Sequence, residues 1–296
     1  MRPARRNLVW LASYPKSGNT WVRILLSYLL AKSSCEVDIN RLTVGKSAAN
    51  LWPFEALECC VASELTHDEI DRLRPEAYRR YADQHSGLEF LKTHAAYRNN
   101  DNGEPIFPED VTHLVVYLVR NPLDIVISWA HHLGTNFDEA IEIMRSPFAL
   151  GSTNSEFQWQ HCESVLDWSS HVRSWTEQDR LPVHVVRYED LLRNPRMSLR
   201  MMLRELGLSL GGPRIDQAID LARIDRLQDQ ERTFGFVETP STERAFFRAG
   251  RSGDWRSSLN KAQIARVLRH HGPEMRRFGY ADMFEEAFPP DCNERG

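Results

Sequence analysis

Four short apolar runs constrain the fold of this chain more than any other feature. They are Leu8–Ser13, Leu88–Lys92, Leu114–Val119 and Val183–Arg187. Each contains β-branched or aromatic residues and is nearly continuous rather than alternating, a pattern typical of strands that are covered on both faces of a parallel sheet. Helical patterns separate the runs. We therefore expect an α/β fold with a central parallel sheet and helices on both of its faces.

Local signals refine this outline. Asn121 and Pro122 fit the N-cap and the first position of a helix, so a helix is expected to begin there. The tryptophans of Ser164–Gln178 recur at helical spacing and predict a helix that packs on the core. Thr43–Cys60 and Ser146–Glu156 show no clear period, and long irregular segments of this kind are often lids or binding loops.

The composition limits the class of protein and its partners. The 296 residues include 37 Lys and Arg against 41 Asp and Glu, which gives a net charge of −4. A protein that binds nucleic acid usually has a basic excess, so we expect no nucleic-acid partner and a specific site for any anion. The five cysteines form no Cys-x-x-Cys pair, so they indicate neither a disulfide framework nor a zinc site.

The sequence also predicts a cytoplasmic protein without a membrane span. The apolar stretch Asn7–Ala12, which follows the basic N-terminus, is too short for a signal peptide. The longest apolar candidate, from Trp21 to Ala31, is interrupted by Arg23. It falls far short of the ~18–20 residues that a membrane span requires.

The first chemical signal is a loop between the first strand and a helix that is expected over about Trp21–Ala31. This loop, Tyr14–Thr20, reads Tyr-Pro-Lys-Ser-Gly-Asn-Thr and is called the cradle loop below. Such a turn directs backbone N–H groups toward one point at the positive end of a helix, and Lys16 adds a charge, so the loop suits a phosphate. The alternative is an ordinary strand–turn–helix junction with a surface lysine.

The cradle loop differs from the loop of nucleoside-triphosphate hydrolases. Its lysine precedes its glycine, whereas those enzymes have Gly-x-x-x-x-Gly-Lys-Ser/Thr. Arg120 ends the Leu114–Val119 strand at the point where a kinase of that kind needs a magnesium-binding aspartate. The sequence therefore predicts a phosphate cradle without metal-assisted phosphoryl transfer.

Two further segments suit an anionic ligand. The arginine motif, Arg120–Ser128, places an arginine at the carboxyl end of a strand, where ligands bind in open α/β sheets, and a serine about two turns into the next helix. The basic loop, Arg248–Trp255, is glycine-rich and without apolar period. The alternatives are an Arg120–Asp124 pair with a packed Ser128, and a solvated charged connection.

Taken together, the three segments resemble the sulfotransferases that use 3′-phosphoadenosine 5′-phosphosulfate (PAPS). In those enzymes the corresponding segments read Tyr-Pro-Lys-Ser-Gly-Thr-Thr-Trp, Arg-Asn-Pro-x-Asp-x-x-x-Ser and Arg-Lys-Gly-x-x-Gly-Asp-Trp. The further matches are Lys92-Thr93-His94, Trp168-x-x-His171-Val172-Arg173-Ser174-Trp175 and Arg187-Tyr188-Glu189-Asp190-Leu191. The resemblance runs from about Leu8 to Leu259 and implies a P-loop-like sheet with long acceptor-binding loops.

The resemblance also implies roles for individual residues. Lys16, Lys92 and His94 would be catalytic, with His94 as the general base that removes the proton of the acceptor hydroxyl. The residues that would bind the cofactor are Lys16, Ser17, Gly18, Asn19, Thr20, Trp21, Arg120, Ser128, Tyr188, Arg248, Ala249 and Gly250. PAPS would be the co-substrate and adenosine 3′,5′-bisphosphate (PAP) the product, with no metal required.

A single domain over 1–296 fits this arrangement, because signals from Lys16 to Arg248 would meet at one cofactor. We expect a core over about 8–285 and a flexible tail over 289–296. The short dimer motif of many animal relatives is absent around Arg256–Ile264, which leaves a homodimer in doubt. Ala249 replaces a family lysine, for which Arg251 could compensate, and Asn19 replaces a threonine with little expected effect.

The acceptor is the least determined part of the reaction. A small molecule with a hydroxyl group is expected, whether phenol, alcohol, lipid, sugar or glycopeptide-like product. The candidate acceptor residues are Trp52, Phe54, Tyr97, Trp129 and His132. Their aromatic rings favour an acceptor with an apolar or ring-containing body, although Trp52 and Phe54 suit a closed core equally well. Two other functions stay open: a nucleoside-kinase-like phosphotransferase and a non-catalytic nucleotide-binding protein.

Overall fold

The computed structural model describes residues 6–31, 37–51, 53–54, 57, 65–150, 161–239 and 245–280. Trp52, residues 151–156 of the Ser146–Glu156 segment and the expected tail over 289–296 lie outside the described residues. None of the helices in the described ranges combines the length and the apolar character that crossing a membrane requires.

Five parallel strands form the central sheet in the order β2-β3-β1-β4-β7. These strands are β1 (Leu8–Ser13), β2 (Lys46–Ser47), β3 (Glu89–Thr93), β4 (Thr112–Val119) and β7 (Val183–Arg187). Two short antiparallel strands, β5 (Ala149–Leu150) and β6 (Glu163–Ser164), pair apart from this sheet. The strand order places the two chemically richest strand ends, those of β1 and β4, at the centre.

Helices connect the strands and cover the sheet. They are α1 (Asn19–Leu30), α2 (His67–Asp83), α3 (Pro122–Leu133), α4 (Phe137–Arg145), α5 (Trp168–Thr176), α6 (Tyr188–Arg193), α7 (Pro195–Glu205), α8 (Gly212–Leu221), α9 (Ile224–Phe234), α10 (Trp255–Ser258) and α11 (Lys261–Arg277). Asn121 is the N-cap of α3, where its side chain accepts a hydrogen bond from the backbone N–H of Leu123, and Pro122 follows at the first helical position. The helix start expected from the sequence is confirmed.

The core lies on both faces of the sheet, as the continuous apolar runs predict. Successive residues of β1 point to opposite faces: Trp10 packs in a cluster that contains residues of α2, α3, α5 and α11, and Leu11 packs with residues of α1, α7 and α8. Tyr117 and Val116 of β4 alternate in the same way. Because both faces of the central strands are buried, neither face needs polar side chains. This explains why the sequences of these strands are apolar without interruption.

The predicted strands agree closely with the structure. Both Leu8–Ser13 and Val183–Arg187 have the predicted bounds, β3 lies one residue later, and β4 begins two residues earlier. Strand β7 (Val183–Arg187), at the edge of the sheet, is also covered on both faces but less completely: Val183 packs against the cluster that contains α5 residues, and Val186 belongs to the cluster that contains α7 residues. Its Val185 is exposed there. The sequence does not predict strands β2, β5 and β6. Each has only two residues, which is too short for an alternating or continuous apolar pattern to be recognised.

The first strand and helix are joined by a side chain of the cradle loop. Asn19 is buried, and its Nδ2 donates to the carbonyl of Leu11 at 2.8 Å and to Oγ of Ser13 at 3.1 Å. The side chain therefore points into the protein and fixes the beginning of α1 against the end of β1.

Replacing Asn19 by alanine is expected to destabilise the protein. The substitution Asn19→Ala removes both hydrogen bonds and leaves the buried Leu11 carbonyl without this donor, a loss of ~1–3 kcal/mol in the free energy of unfolding. Urea unfolding followed by circular dichroism measures the difference. The matched control is Asn102→Ala at an exposed position. Equal stability of both variants and the parent protein would contradict this account of Asn19.

Candidate active site

A cavity of about 830 Å³ opens at the carboxyl edge of the central sheet. This edge collects the loops that follow β1, β3, β4 and β7, because all four strands are parallel. The sequence-predicted residues in its wall are Lys16, Gly18, Asn19, Thr20, Trp21, Lys92, His94, Arg120, Ser128, Trp129, His132, Tyr188, Arg248, Ala249 and Gly250. The three motifs, which are more than 230 residues apart in sequence from end to end, thus share one cavity.

The cradle loop has the backbone geometry of an anion site. Lys16 has a φ of 67° and Gly18 a φ of 95°, both in the left-handed region, and Gly18 is the N-cap of α1. A Cβ on Gly18 would lie 2.5 Å from Cδ2 of Tyr188, so only glycine permits this close approach. Ser17 is fully buried, and its hydroxyl has no hydrogen-bond partner among the described residues. Because of this turn, the backbone N–H groups at the beginning of α1, which have no partner within the helix, are available to an anion.

The electrostatics of the cradle loop favour a negatively charged ligand. Burial, and then the positive charges of Arg120 and Lys92, lower the pKa of Lys16 to about 7. The ammonium Nζ lies 4.6 Å from the centre of the Phe246 ring. A lysine with this pKa is held in a site of excess positive charge, and a bound polyanion would restore its protonation.

The guanidinium of Arg120 closes one side of the cradle loop. Its Nη1 donates to the carbonyl of Lys16 at 2.9 Å and its Nη2 to the carbonyl of Arg251 at 3.3 Å. Its Nε is buried and has no partner in the described part of the chain. The expected alternative, an Arg120–Asp124 pair, is not what the structure shows: Asp124 accepts the backbone N–H of Gly253 at 2.8 Å. Arg120 therefore links all three motifs.

The basic loop folds over the same cavity as an irregular segment, as predicted. Gly250 has a φ of 58°, and a Cβ there would lie 2.9 Å from Cβ of Ile224. Arg248 and Arg251 both pair with Asp254, at 2.9 Å and 2.6 Å. Both arginines also line the cavity, so their positive charges are available to an anionic ligand at its rim.

One end of the cavity is apolar and flat enough for a ring system. Trp21 donates its indole N–H to the carbonyl of Ala222 at 3.0 Å, and its ring lies edge-on to Tyr188 with centres 6.0 Å apart. Ile224 and Phe247 line the same cavity. Sequence reasoning missed these last two, because an isolated isoleucine or phenylalanine has no chemical signature.

His94 lines the cavity, and one of its ring nitrogens is fixed by the backbone. Its Nδ1 lies 2.8 Å from the carbonyl of Ser13, an acceptor only, so Nδ1 carries the proton and donates it. His171 donates from Nε2 to the His94 carbonyl at 3.1 Å and accepts at Nδ1 from the hydroxyl of Tyr117 at 2.9 Å. Burial, and then the charge of Lys92, keep the pKa of His94 well below its usual value. His94 is therefore neutral near pH 7, with Nε2 as a proton acceptor.

Two carboxylates in the cavity wall were not expected from the sequence. Glu238 accepts from Arg23 at 2.5 Å and from the hydroxyl of Thr20 at 3.2 Å. Burial would raise its pKa, but the charges of Lys92 and Arg23 outweigh this effect and lower it to about 2. Glu163 lies beside the loop after β3, and its Oε1 accepts the backbone N–H of His94 at 3.0 Å. Neither residue belongs to a recognisable motif, so only the structure reveals them.

Only some of the candidate acceptor residues line the cavity. Trp129 and His132 line the cavity, whereas Phe54 and Tyr97 do not. Phe54 is fully buried and packs with Leu57. The ring of Tyr97 packs on Trp175. Phe54 and Tyr97 are therefore corrected to packing residues, which weakens the expectation of an acceptor with an apolar body.

No group of three or more His, Cys, Asp or Glu side chains in the described ranges is placed to hold a metal ion. The cavity wall has mixed character: Lys16, Arg120, Arg248 and Arg251 lie in the three motifs, whereas His94, His161 and Glu163 lie near the end of β3. The positive charges of the three motifs suit a polyanion, and the end of the cavity near β3 offers neutral and acidic groups to a second ligand.

Comparison with known proteins decides the family. The model of the sulfotransferase domain matches residues 6–279, nearly the whole chain. The chain belongs to the sulfotransferase family. This result confirms the family that the three motifs predicted, a family of PAPS-dependent enzymes, and with it the P-loop-like fold.

Individual relatives agree with this assignment. The chain is 24% identical over 269 residues to sulfotransferase 1B1 of Canis lupus familiaris, covering 88% of this chain and 80% of the relative. It is 22% identical to flavonol 3-sulfotransferase of Flaveria bidentis, covering 89% and 80%. Among solved structures, mouse sulfotransferase SULT7A1 complexed with PAP has a TM-score of 0.62 at 18% identity, covering 96% of this chain and 88% of that one.

A substitution of the cradle glycine tests the geometry of the site. We expect Gly18→Ala to lower the affinity for PAP by at least ~10-fold, because a left-handed φ and a contact of 2.5 Å both disfavour a Cβ at this position. Isothermal titration calorimetry measures the affinity. Gly87→Ala is the matched control, since nothing lies within 4 Å of a Cβ there. Unchanged PAP affinity in Gly18→Ala would refute the assigned geometry.

The lowered pKa of Lys16 predicts proton uptake when PAP binds. Below pH ~7 the lysine of the free protein is already protonated, whereas at about pH 8 it is mostly neutral and takes up a proton beside the polyanion. The phosphates of PAP are ionised at that pH and do not contribute. Calorimetry in buffers of different ionisation enthalpy counts the protons. We expect uptake in the parent protein and none in Lys16→Met; equal uptake in both would disprove the assignment.

Proposed function

We propose that this sulfotransferase transfers the sulfuryl group of PAPS to a hydroxyl group of a small-molecule acceptor, with His94 as general base. The observation that carries the proposal is the imidazole of His94, which lines the cavity shared by the donor-binding motifs and whose Nδ1 is held by the carbonyl of Ser13, so that Nε2 is left as the proton acceptor. PAPS supplies a sulfuryl group whose sulfur–oxygen bond to phosphate breaks as the acceptor oxygen bonds to sulfur.

The donor end fits a nucleotide with two phosphate groups. The cradle loop, with Lys16 and the N–H groups around Gly18, suits the 5′ side. Arg120, Ser128 and the basic loop suit the 3′-phosphate, and the unpartnered Nε of Arg120 is the kind of donor that a phosphate satisfies. Trp21 and Tyr188 bound the apolar end for the adenine ring. Arg251, exposed at the rim, is placed to replace the charge lost at Ala249.

His94 would act by accepting the proton of the acceptor hydroxyl at Nε2. The hydrogen bond from Nδ1 to the carbonyl of Ser13 fixes the ring and also stabilises the imidazolium that forms. Since burial and Lys92 lower the pKa of His94, the base is unprotonated before the acceptor binds. The neighbouring charge of Lys92 disfavours the imidazolium, so the proton leaves readily after transfer.

Lys16 and Lys92 would stabilise the negative charge that moves toward the leaving phosphate. Lys16 lies in the cradle loop, where it can donate to the oxygen between phosphorus and sulfur. Because Lys16 is partly buried, its positive charge stabilises the transition state more than the same charge in bulk water would. This proposal assigns electrostatic catalysis to the lysines and proton transfer to His94.

The phosphotransferase alternative is less well supported. A kinase of that type needs an aspartate for magnesium at the end of the strand next to β1, and this chain has Arg120 at the end of β4. A cytoplasmic location and a single domain stay predictions from the sequence, and whether the protein forms a homodimer stays open.

A substitution of His94 separates catalysis from donor binding. We expect His94→Ala to reduce turnover by ~10²–10⁴-fold, the usual contribution of a general base. PAP binding is expected to persist in this variant. Turnover is measured with PAPS labelled in the sulfuryl group and a panel of hydroxyl compounds, and PAP binding by calorimetry. His67→Ala, at an exposed position on α2, is the matched control. Near-normal turnover in His94→Ala would refute the base assignment.

A further inference from the structure

Glu163 is a carboxylate fixed directly beside the proposed base. Its Oε1 accepts from the hydroxyl of Thr93 at 2.5 Å and from the backbone N–H groups of His94 at 3.0 Å and Ala95 at 3.2 Å. Glu163 is only 5% exposed, and it lines the cavity together with Lys92 and His94. One oxygen of this carboxylate therefore holds the loop after β3 in place, at the acceptor end of the site.

The second oxygen has a different environment. Oε2 of Glu163 has no hydrogen-bond partner among the described residues, and the Glu163 side chain belongs to the cavity wall. Because Oε1 already accepts three hydrogen bonds, Oε2 is the oxygen of Glu163 that a ligand in the cavity would engage.

The negative charge of Glu163 lacks a direct counter-ion in the described ranges. Arg74 interacts with it only at longer range and pairs with Asp71 at 3.2 Å. A nearly buried carboxylate without a paired cation is costly, and a cationic ligand would compensate for it.

The histidines around Glu163 do not supply a positive charge near pH 7. Burial, and then Lys16, lower the pKa of His132 to about 4, and burial, and then Arg74, lower that of His161 to about 3. Both imidazoles line the cavity in their neutral form. Lys92 is the remaining cation of this wall in the described chain, and its charge lies close enough to Glu238 to lower that pKa.

We propose that Glu163 makes the enzyme select acceptors that carry an ammonium group in addition to the hydroxyl. Oε2 accepts a hydrogen bond from the ammonium, while Oε1 keeps His94 in position. This inference rests on the proposed function and adds the substrate class, an amino-phenol or amino-alcohol. The positive charge of the ammonium then compensates the negative charge of Glu163. A neutral acceptor of the same shape offers no such compensation.

Matched pairs of acceptors test this proposal. Tyramine is compared with para-ethylphenol, and aminopentanol with hexanol, each with labelled PAPS and, as a binding readout, by the rise in melting temperature above that produced by PAP alone. We expect the ammonium member of each pair to be preferred by about tenfold or more in kcat/KM or in affinity. This factor corresponds to the extra strength of a hydrogen bond between charged groups over one between neutral groups. In Glu163→Gln, which keeps the amide oxygen for Thr93 and His94, the preference is expected to vanish.

A control variant and the contrary results complete the test of the proposed ammonium preference. Glu139→Gln, at an exposed position on α4, should retain the preference. Equal use of both members of each pair, binding of no ammonium compound, or a preference that survives in Glu163→Gln would overturn the inference. If PAP raises the melting temperature in those cases, the proposed function still stands. If PAP produces no rise, the proposed function fails and this inference fails with it.

Discussion

The structure depends on the common direction of four neighbouring strands. Because β3, β1, β4 and β7 are parallel and adjacent, their carboxyl ends meet at one edge of the sheet. The register sets Ala12 beside both Thr93 and Tyr117, so the loops that follow begin within a few residues of each other. Residues far apart in sequence, such as Lys16 and Arg120, thereby reach hydrogen-bonding distance.

This convergence concentrates positive charge, which has an energetic consequence. Lys16 loses part of its proton affinity because it is buried near Arg120 and Lys92. The net charge of −4 for the whole chain hides this local excess. In the structure the excess is balanced in part by Glu238, whose carboxylate contacts Thr20 and Arg23. A polyanionic donor provides the balance that a single carboxylate cannot, so we expect the site to favour a bisphosphate nucleotide.

The sequence predicts the donor side of the site well and the acceptor side poorly. Motifs identify Lys16, Arg120 and their neighbours because phosphate binding needs particular residue types at fixed spacing along strand–loop–helix units, and such units fold locally. The two-residue strands β2, β5 and β6 are set by tertiary pairing, so no local pattern reveals them. Glu163 belongs to such a strand. The aromatic ring of Phe54 suggests a binding role in the sequence, but aromatic side chains more often fill a core than line a pocket.

The central claim is that one cavity, built from the three motifs, binds a nucleotide with phosphate groups on both its 3′ and 5′ positions. Calorimetric titration of the protein with PAP, adenosine 5′-phosphate and magnesium ATP tests it most directly. The structure predicts that PAP binds at least ~10²-fold more tightly than adenosine 5′-phosphate, since Arg120 and the basic loop engage the additional phosphate. Tighter binding of magnesium ATP, with no measurable binding of PAP, would contradict the account.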